Sequence, residues 1–123
     1  KIQIVGVSKM IEILKSKIHR AVVTDANINY EGSITLSSSL IKKANFVKYE
    51  KVLVVDINNG NRFETYVIES PDDNVICLNG AAARLVSVGD LIIIMSFRYI
   101  DENSAIDYEP NIIVLNEKNE VIQ

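Results

Sequence analysis

The chain has 123 residues, enough for one core that buries about two-thirds of the surface an unfolded chain exposes. Hydrophobic residues make up 48% and charged residues 24%, which excludes a disordered or fibrous chain. A net charge of -3 with 7% aromatics argues against nucleic acid as a partner and against an oligonucleotide-binding barrel, which need a basic face and stacking rings.

Residues 1–9 precede Met10 and read as an N-terminal extension, an edge strand through Ile2 and Ile4, or vector-derived sequence. Residues 10–123 read as one domain. Short β-branched runs predict strands at Ile18–Thr24, Ser33–Leu36, Val52–Ile57, Arg62–Ile68, Val75–Leu78, Leu91–Ser96 and Ile112–Leu115. Ser37, Ser38 and Ser39 supply an N-cap for a short helix to about Asn45. Asn59-Gly60 between two strands predicts a hairpin, since both residue types tolerate positive φ. Ala81–Ala83 suits one helical turn. Asp101 can cap another short helix from Glu102 to about Asp107, ahead of Pro110. Many short strands with two or three small helices point to a closed or nearly closed β-barrel, because closure removes the exposed strand edges.

Cys77 and His19 are the single residues of their kinds. No disulfide forms within the chain, which fits a reducing cytoplasm, and the soft ligands for a zinc site are missing. Cys77, in the apolar run Val75–Leu78, reads as a small buried hydrophobe. No apolar run reaches transmembrane length, so no membrane partner is expected.

Four segments carry a resemblance: "SKIHRAVVTDANINYEGSITL", "NNGNRFETYVI", "CLNGAAARLVSVGD" and "IIIMSF". In this order and spacing they resemble aspartate α-decarboxylase, a pyruvoyl-dependent family, from about Met10 to the C-terminus. The resemblance implies a double-psi β-barrel, a homotetramer with sites between subunits, L-aspartate as substrate, β-alanine and CO2 as products, and a role in supplying pantothenate and coenzyme A biosynthesis. It implies a covalently bound pyruvoyl group made from Ser33, with neither metal nor pyridoxal phosphate. A helper protein assists maturation in some members.

The chemistry implied begins at Gly32-Ser33. Ser33 Oγ attacks the Gly32 carbonyl and the amide becomes an ester. Elimination breaks the chain, and hydrolysis of the resulting dehydroalanine leaves a ketone at the new N-terminus. That ketone takes the substrate amine as a Schiff base and gives the electrons of the broken C–C bond a sink, which unmodified side chains do not offer. A glycine before the serine tolerates unusual dihedrals. By the resemblance, Thr65 serves the Gly32 carbonyl, Tyr30 shapes the cleavage site and Tyr66 returns a proton to the carbanion. Arg62 and Lys17 meet the substrate carboxylates. Asn79, Gly80 and Ala81 bind an anion through a side-chain amide and backbone N–H groups. His19 is a base or a hydrogen-bonding positioner. A regular strand puts Arg62, Glu64 and Tyr66 on one face, with Phe63 and Thr65 on the other, so either the strand bends or the site straddles two subunits, and the resemblance implies the second. Taken alone, Gly32-Ser33 is ordinary turn material. The other reading is a non-catalytic β-barrel interaction module in which it is only that.

Overall fold

A computed structural model describes residues 9–123. The reading of residues 1–9 as an extension, with its edge strand through Ile2 and Ile4, lies outside the described residues except for Lys9. The chain is mainly β. Its strands are β1 Met10–Val22, β2 Asp25–Asn27, β3 Ser33–Ser37, β4 Lys51–Asp56, β5 Arg62–Ser70, β6 Ile76–Asn79, β7 Leu91–Asp101 and β8 Asn111–Val114. One helix, α1, spans Ser38–Ala44, and single 3-10 turns cover Gly80–Leu85 and Glu102–Ala105.

The eight strands hydrogen-bond in the order β2-β6-β3-β5-β4-β7-β1-β8. Three neighbouring pairs are parallel (β1 with β8, β2 with β6, β3 with β5) and the others antiparallel. The list has two ends, but the chain links them. After β1 has paired with β7 and β8, Val23 and Thr24 carry it across to β6, where Thr24 N–H donates to the Ile76 carbonyl at 2.8 Å. The next three residues form β2 on that same strand. The path from Met10 to Asn27 thus touches both ends of the sheet and curls it into a barrel-like body. The inward faces of these strands meet in a core of β-branched and aliphatic residues: Ile18, Val23, Ile34, Leu36, Val52, Val54, Val67, Ile76, Leu78, Ile92 and Ile94 are at most 1% exposed.

Most predicted strands are present within one or two residues, but two are far longer than the sequence suggests. β1 begins eight residues before Ile18, and β7 runs five past Ser96. These two extensions pair with each other, Met10 with Asp101 through Leu14 with Phe97. A bulge at Lys15 shifts the side-chain phase of β1, so its alternation does not run on into Ser16 and Ile18. Lys15 leaves the ladder to reach Glu50 at 2.9 Å. β2 was not among the predicted strands, because three residues carry no period.

Helix α1 starts as expected, with Ser37 Oγ accepting from Leu40 N–H, and it stops at Asn45 in the left-handed region, φ 59. Asp101 caps a 3-10 turn ending at Ala105, shorter than the predicted helix. Asn59-Gly60 does join β4 to β5. Only Gly60 takes positive φ there, at 79, and the connection is the longer loop Ile57–Asn61.

Asp56 organises that loop. It is fully buried, its Oδ1 accepts from the N–H groups of Asn58 and Asn59 at 2.8 and 3.2 Å, and its Oδ2 has no partner. Burial first, then the neighbouring Asp90 carboxyl, push its pKa above 3.8. The folded chain therefore holds this proton where the unfolded chain has released it. The associated stability is present below pH 3.8 and is lost as pH rises towards the raised value. Asp56→Asn, which keeps the acceptor and cannot ionise, should match the wild type in acid and exceed it increasingly as pH rises. Urea midpoints measured across pH check this, and parallel curves would show that Asp56 ionises normally.

Candidate active site

Ser33 opens β3 and is 1% exposed. Its Oγ donates to the Glu31 carbonyl at 3.1 Å and accepts from Asn79 Nδ2 at 2.9 Å. The antiparallel pairing of β3 with β6 sets Ser33 opposite Asn79. The Asn79 amide also donates to Thr35 Oγ1 at 2.8 Å, so both of its hydrogens are engaged within the chain. Its Oδ1 accepts from Cys77 Sγ at 3.2 Å. Cys77 is therefore not the buried hydrophobe its apolar run suggested. It is half-buried, and because β-strand residues alternate it faces the same side as Asn79, away from the core that takes Ile76 and Leu78. Burial, then Asp25, raise the pKa of its thiol, which keeps the proton it donates.

Gly80 follows directly, buried, with φ 69. A Cβ there would lie 2.7 Å from both Cα and N of Gly32 and 3.0 Å from the Tyr30 carbonyl oxygen. The backbone of Gly80 is thus pressed against the Gly32 backbone beside Ser33. Gly32 itself is not in the positive-φ region, and a Cβ on it would meet nothing within 4 Å. The glycine that this site cannot exchange is Gly80, where the sequence pointed to the dihedral freedom of Gly32. Ala81 is exposed, at the start of the 3-10 turn.

A cleft of about 250 Å³ opens beside Ser33, lined by Tyr30, Glu31, Lys48, Tyr49, Tyr66, Ile68 and Glu69. The parallel pairing of β3 with β5 places Ile34 opposite Val67, which brings Tyr66 level with Ser33. Three of the predicted residues, Ser33, Tyr30 and Tyr66, are brought together here. Lys48, Tyr49 and Glu69 were not foreseen. Lys48 and Tyr49 come from the loop after α1, which has no periodic or turn signature. Tyr49 is held at φ 72, rare for a bulky residue, by its N–H bond to the Val67 carbonyl at 2.7 Å. Its ring lies 6.1 Å from that of Tyr66.

The remaining predicted residues lie elsewhere in the chain. Thr65 pairs with Val52 and, among the described residues, makes no hydrogen bond to Gly32. It shares an open groove with Glu64 and Tyr66, so the two faces expected of β5 meet one surface. Arg62 is exposed at the start of β5, opposite Val55. Lys17 and His19 lie on β1, with β5, β4 and β7 between them and β3. His19 Nδ1 is buried and has no hydrogen-bond partner among the described residues. Burial, then Lys17 and Arg20, hold its pKa below 6.5 and favour the neutral ring. The cleft of one chain thus offers a nucleophile, an amide beside it and three phenols, with one cation, Lys48, against two carboxylates, Glu31 and Glu69. Among the described residues no group of three or more His, Cys, Asp or Glu side chains is placed to hold a metal ion, and no helix is long and apolar enough to cross a membrane.

The aspartate decarboxylase family model matches residues 9–122. An aspartate 1-decarboxylase of Campylobacter fetus subsp. fetus is 55% identical over 111 residues, 90% of this chain and 96% of that protein. One of Campylobacter hominis is 52% identical, covering 92% of this chain and 98% of its own length. One of Clostridium botulinum is 54% identical, covering 90% and 88%.

Proposed function

Because the chain belongs to the aspartate decarboxylase family, we propose that it removes the C1 carboxyl of L-aspartate to give β-alanine and CO2, after cutting itself between Gly32 and Ser33. One observation carries this reading. Ser33, in the cleft, is 1% exposed, receives an N–H from Asn79 and follows a glycine whose backbone Gly80 holds in place. An ordinary surface turn has no use for a buried hydroxyl so enclosed, which is the argument against a non-catalytic barrel.

The residues fit a pyruvoyl group formed at position 33. Asn79 and Thr35 form a polar wall around it, Gly80 packs against the Gly32 backbone beside it, and the cleft has room for an amino acid. Once formed, the group supplies an electron sink for decarboxylation. The chain's own residues do the remainder. In self-cleavage the Ser33 hydroxyl proton leaves and Oγ bonds to the Gly32 carbonyl carbon. The C–N bond then breaks and the departing nitrogen takes a proton, leaving an ester. Loss of the Ser33 Cα proton next breaks the Cβ–Oγ bond and Gly32 departs as a carboxylate. Water replaces the nitrogen of the resulting dehydroalanine, and that nitrogen leaves as ammonia. The Asn79 N–H stabilises charge on Oγ as its proton departs. Tyr66 lines the same cleft, and in this reading its hydroxyl delivers a proton to the decarboxylated carbon.

A dicarboxylate needs more positive charge than this cleft holds. Lys48 alone faces Glu31 and Glu69. Arg62, Lys17, Thr65 and His19, which the resemblance assigns to the site, then come from a neighbouring copy of the chain. Exposed apolar side chains are available to bury in such an assembly, among them Tyr49 and Tyr99, each 65% exposed. We read the assembly as a homotetramer working in the cytoplasm, with a maturation helper where cleavage alone is slow.

Intact mass tests the reading. Purified protein should resolve with time into 1–32 and 33–123, the larger piece lacking a free amine at its N-terminus. Borohydride in the presence of aspartate should add the mass of the reduced adduct to that piece. A chain that stays whole under every maturing condition overturns the proposal.

A further inference from the structure

Cys77 has no part in the chemistry above and Thr35 only helps to wall the site, yet the two hold the ends of the Asn79 side chain. We propose that they are positioning residues for self-cleavage, fixing the Asn79 carboxamide in the one orientation that delivers its N–H to Ser33 Oγ. This inference rests on Gly32-Ser33 being the bond that breaks.

A carboxamide has two orientations differing by a half-turn, and its surroundings choose between them. In the observed one, Nδ2 donates to Ser33 Oγ at 2.9 Å and to Thr35 Oγ1 at 2.8 Å, while Oδ1 accepts from Cys77 Sγ at 3.2 Å. Asn79 is 3% exposed, so water does not compete for it. A half-turn would put the amide nitrogen beside a sulfur, a weak acceptor, in place of two hydroxyls. It would also aim Oδ1 at Ser33, whose own hydrogen is committed to the Glu31 carbonyl at 3.1 Å. The thiol thus supplies the proton that Oδ1 needs, and Thr35 takes the second amide hydrogen.

The consequence falls on Ser33. With the N–H facing Oγ, charge developing there as the hydroxyl proton leaves meets a donor already in place. With the carbonyl oxygen facing Oγ, that charge meets another lone pair. The network therefore acts on the acidity of Ser33 through Asn79, and neither Cys77 nor Thr35 needs to touch the reacting carbonyl.

The test is the rate of cleavage of freshly purified full-length chain, followed by intact mass. Losing one neutral hydrogen bond to Asn79 should slow cleavage about 3- to 10-fold in Cys77→Ala and in Thr35→Val. Cys77→Ser and Thr35→Ser, which keep a donor and an acceptor, should return to within about 2-fold of the wild type. In an Asn79→Ala background, Cys77→Ala should cause no further slowing. Wild-type rates in Cys77→Ala and Thr35→Val, or equal slowing in alanine and serine variants at 77, would overturn the network while leaving the cleavage site intact. No cleavage in the wild type would overturn the cleavage site itself, and the network's role with it.

Discussion

Gly80→Ala should leave the chain whole. The added Cβ would sit 2.7 Å from two backbone atoms of Gly32, closer than real Cβ atoms come, and neither is the far end of a flexible side chain. The alanine would also have to hold φ 69, which costs an L-residue about 1–2 kcal/mol. Relief comes from moving Gly32 away, and Gly32 carries the carbonyl that Ser33 must reach. A displacement near 1 Å costs an oriented reaction about 100-fold, so we expect at least that loss in cleavage rate by intact mass. The thermal midpoint should fall by several degrees as well. Gly32→Ala makes the contrast, because a Cβ there meets nothing within 4 Å. Cleavage of Gly80→Ala at the wild-type rate would show that the contact does not set the geometry of the bond.

The second large effect concerns where the cations are. Ser33→Ala should be inert because it lacks the hydroxyl that starts the cut. Arg62→Ala should cut itself and still fail to decarboxylate aspartate. If each site takes Ser33 from one chain and Arg62 from another, producing the two variants together should restore activity. Random pairing would make about a quarter of the sites whole. β-Alanine formation measures this directly. No recovery from verified mixed oligomers would place Arg62 outside a shared site. Arg62 opens β5, a full four residues before Tyr66, which is level with Ser33, and the mixed assembly therefore separates the two arrangements.

The sequence made the fold legible where one strand face meets the core without interruption. Val52 and Val54 alternate with half-buried partners, as do Ile92 and Ile94, and β4 and the first half of β7 were placed as the β-branched runs that hold these faces. It was illegible where pairing, not burial, makes the strand. Met10–Leu14 and Phe97–Asp101 are exposed or half-buried along most of their length and are extended because they bond to each other. The site was legible through its dense local motif, "YEGSITL", and through Tyr66. Cys77 was misread because an apolar run says nothing about which face a residue takes. Lys48 and Tyr49 join the cleft by a tertiary contact to Val67 that no local pattern encodes.

The path of residues 10–27 across both ends of the sheet has a last consequence. The proposed cut falls between β2 and β3, in a connection that carries no ladder. The short piece keeps thirteen residues of β1 bonded to β7 and β8, and β2 bonded to β6. Scission should therefore release nothing, and the nicked protein should migrate as one particle until a denaturant parts its halves. Once parted, they must find each other by diffusion, so recovery becomes dependent on dilution where the uncut precursor refolds alone. Self-scission would make the mature molecule a two-piece complex whose assembly was guided by a tether that no longer exists.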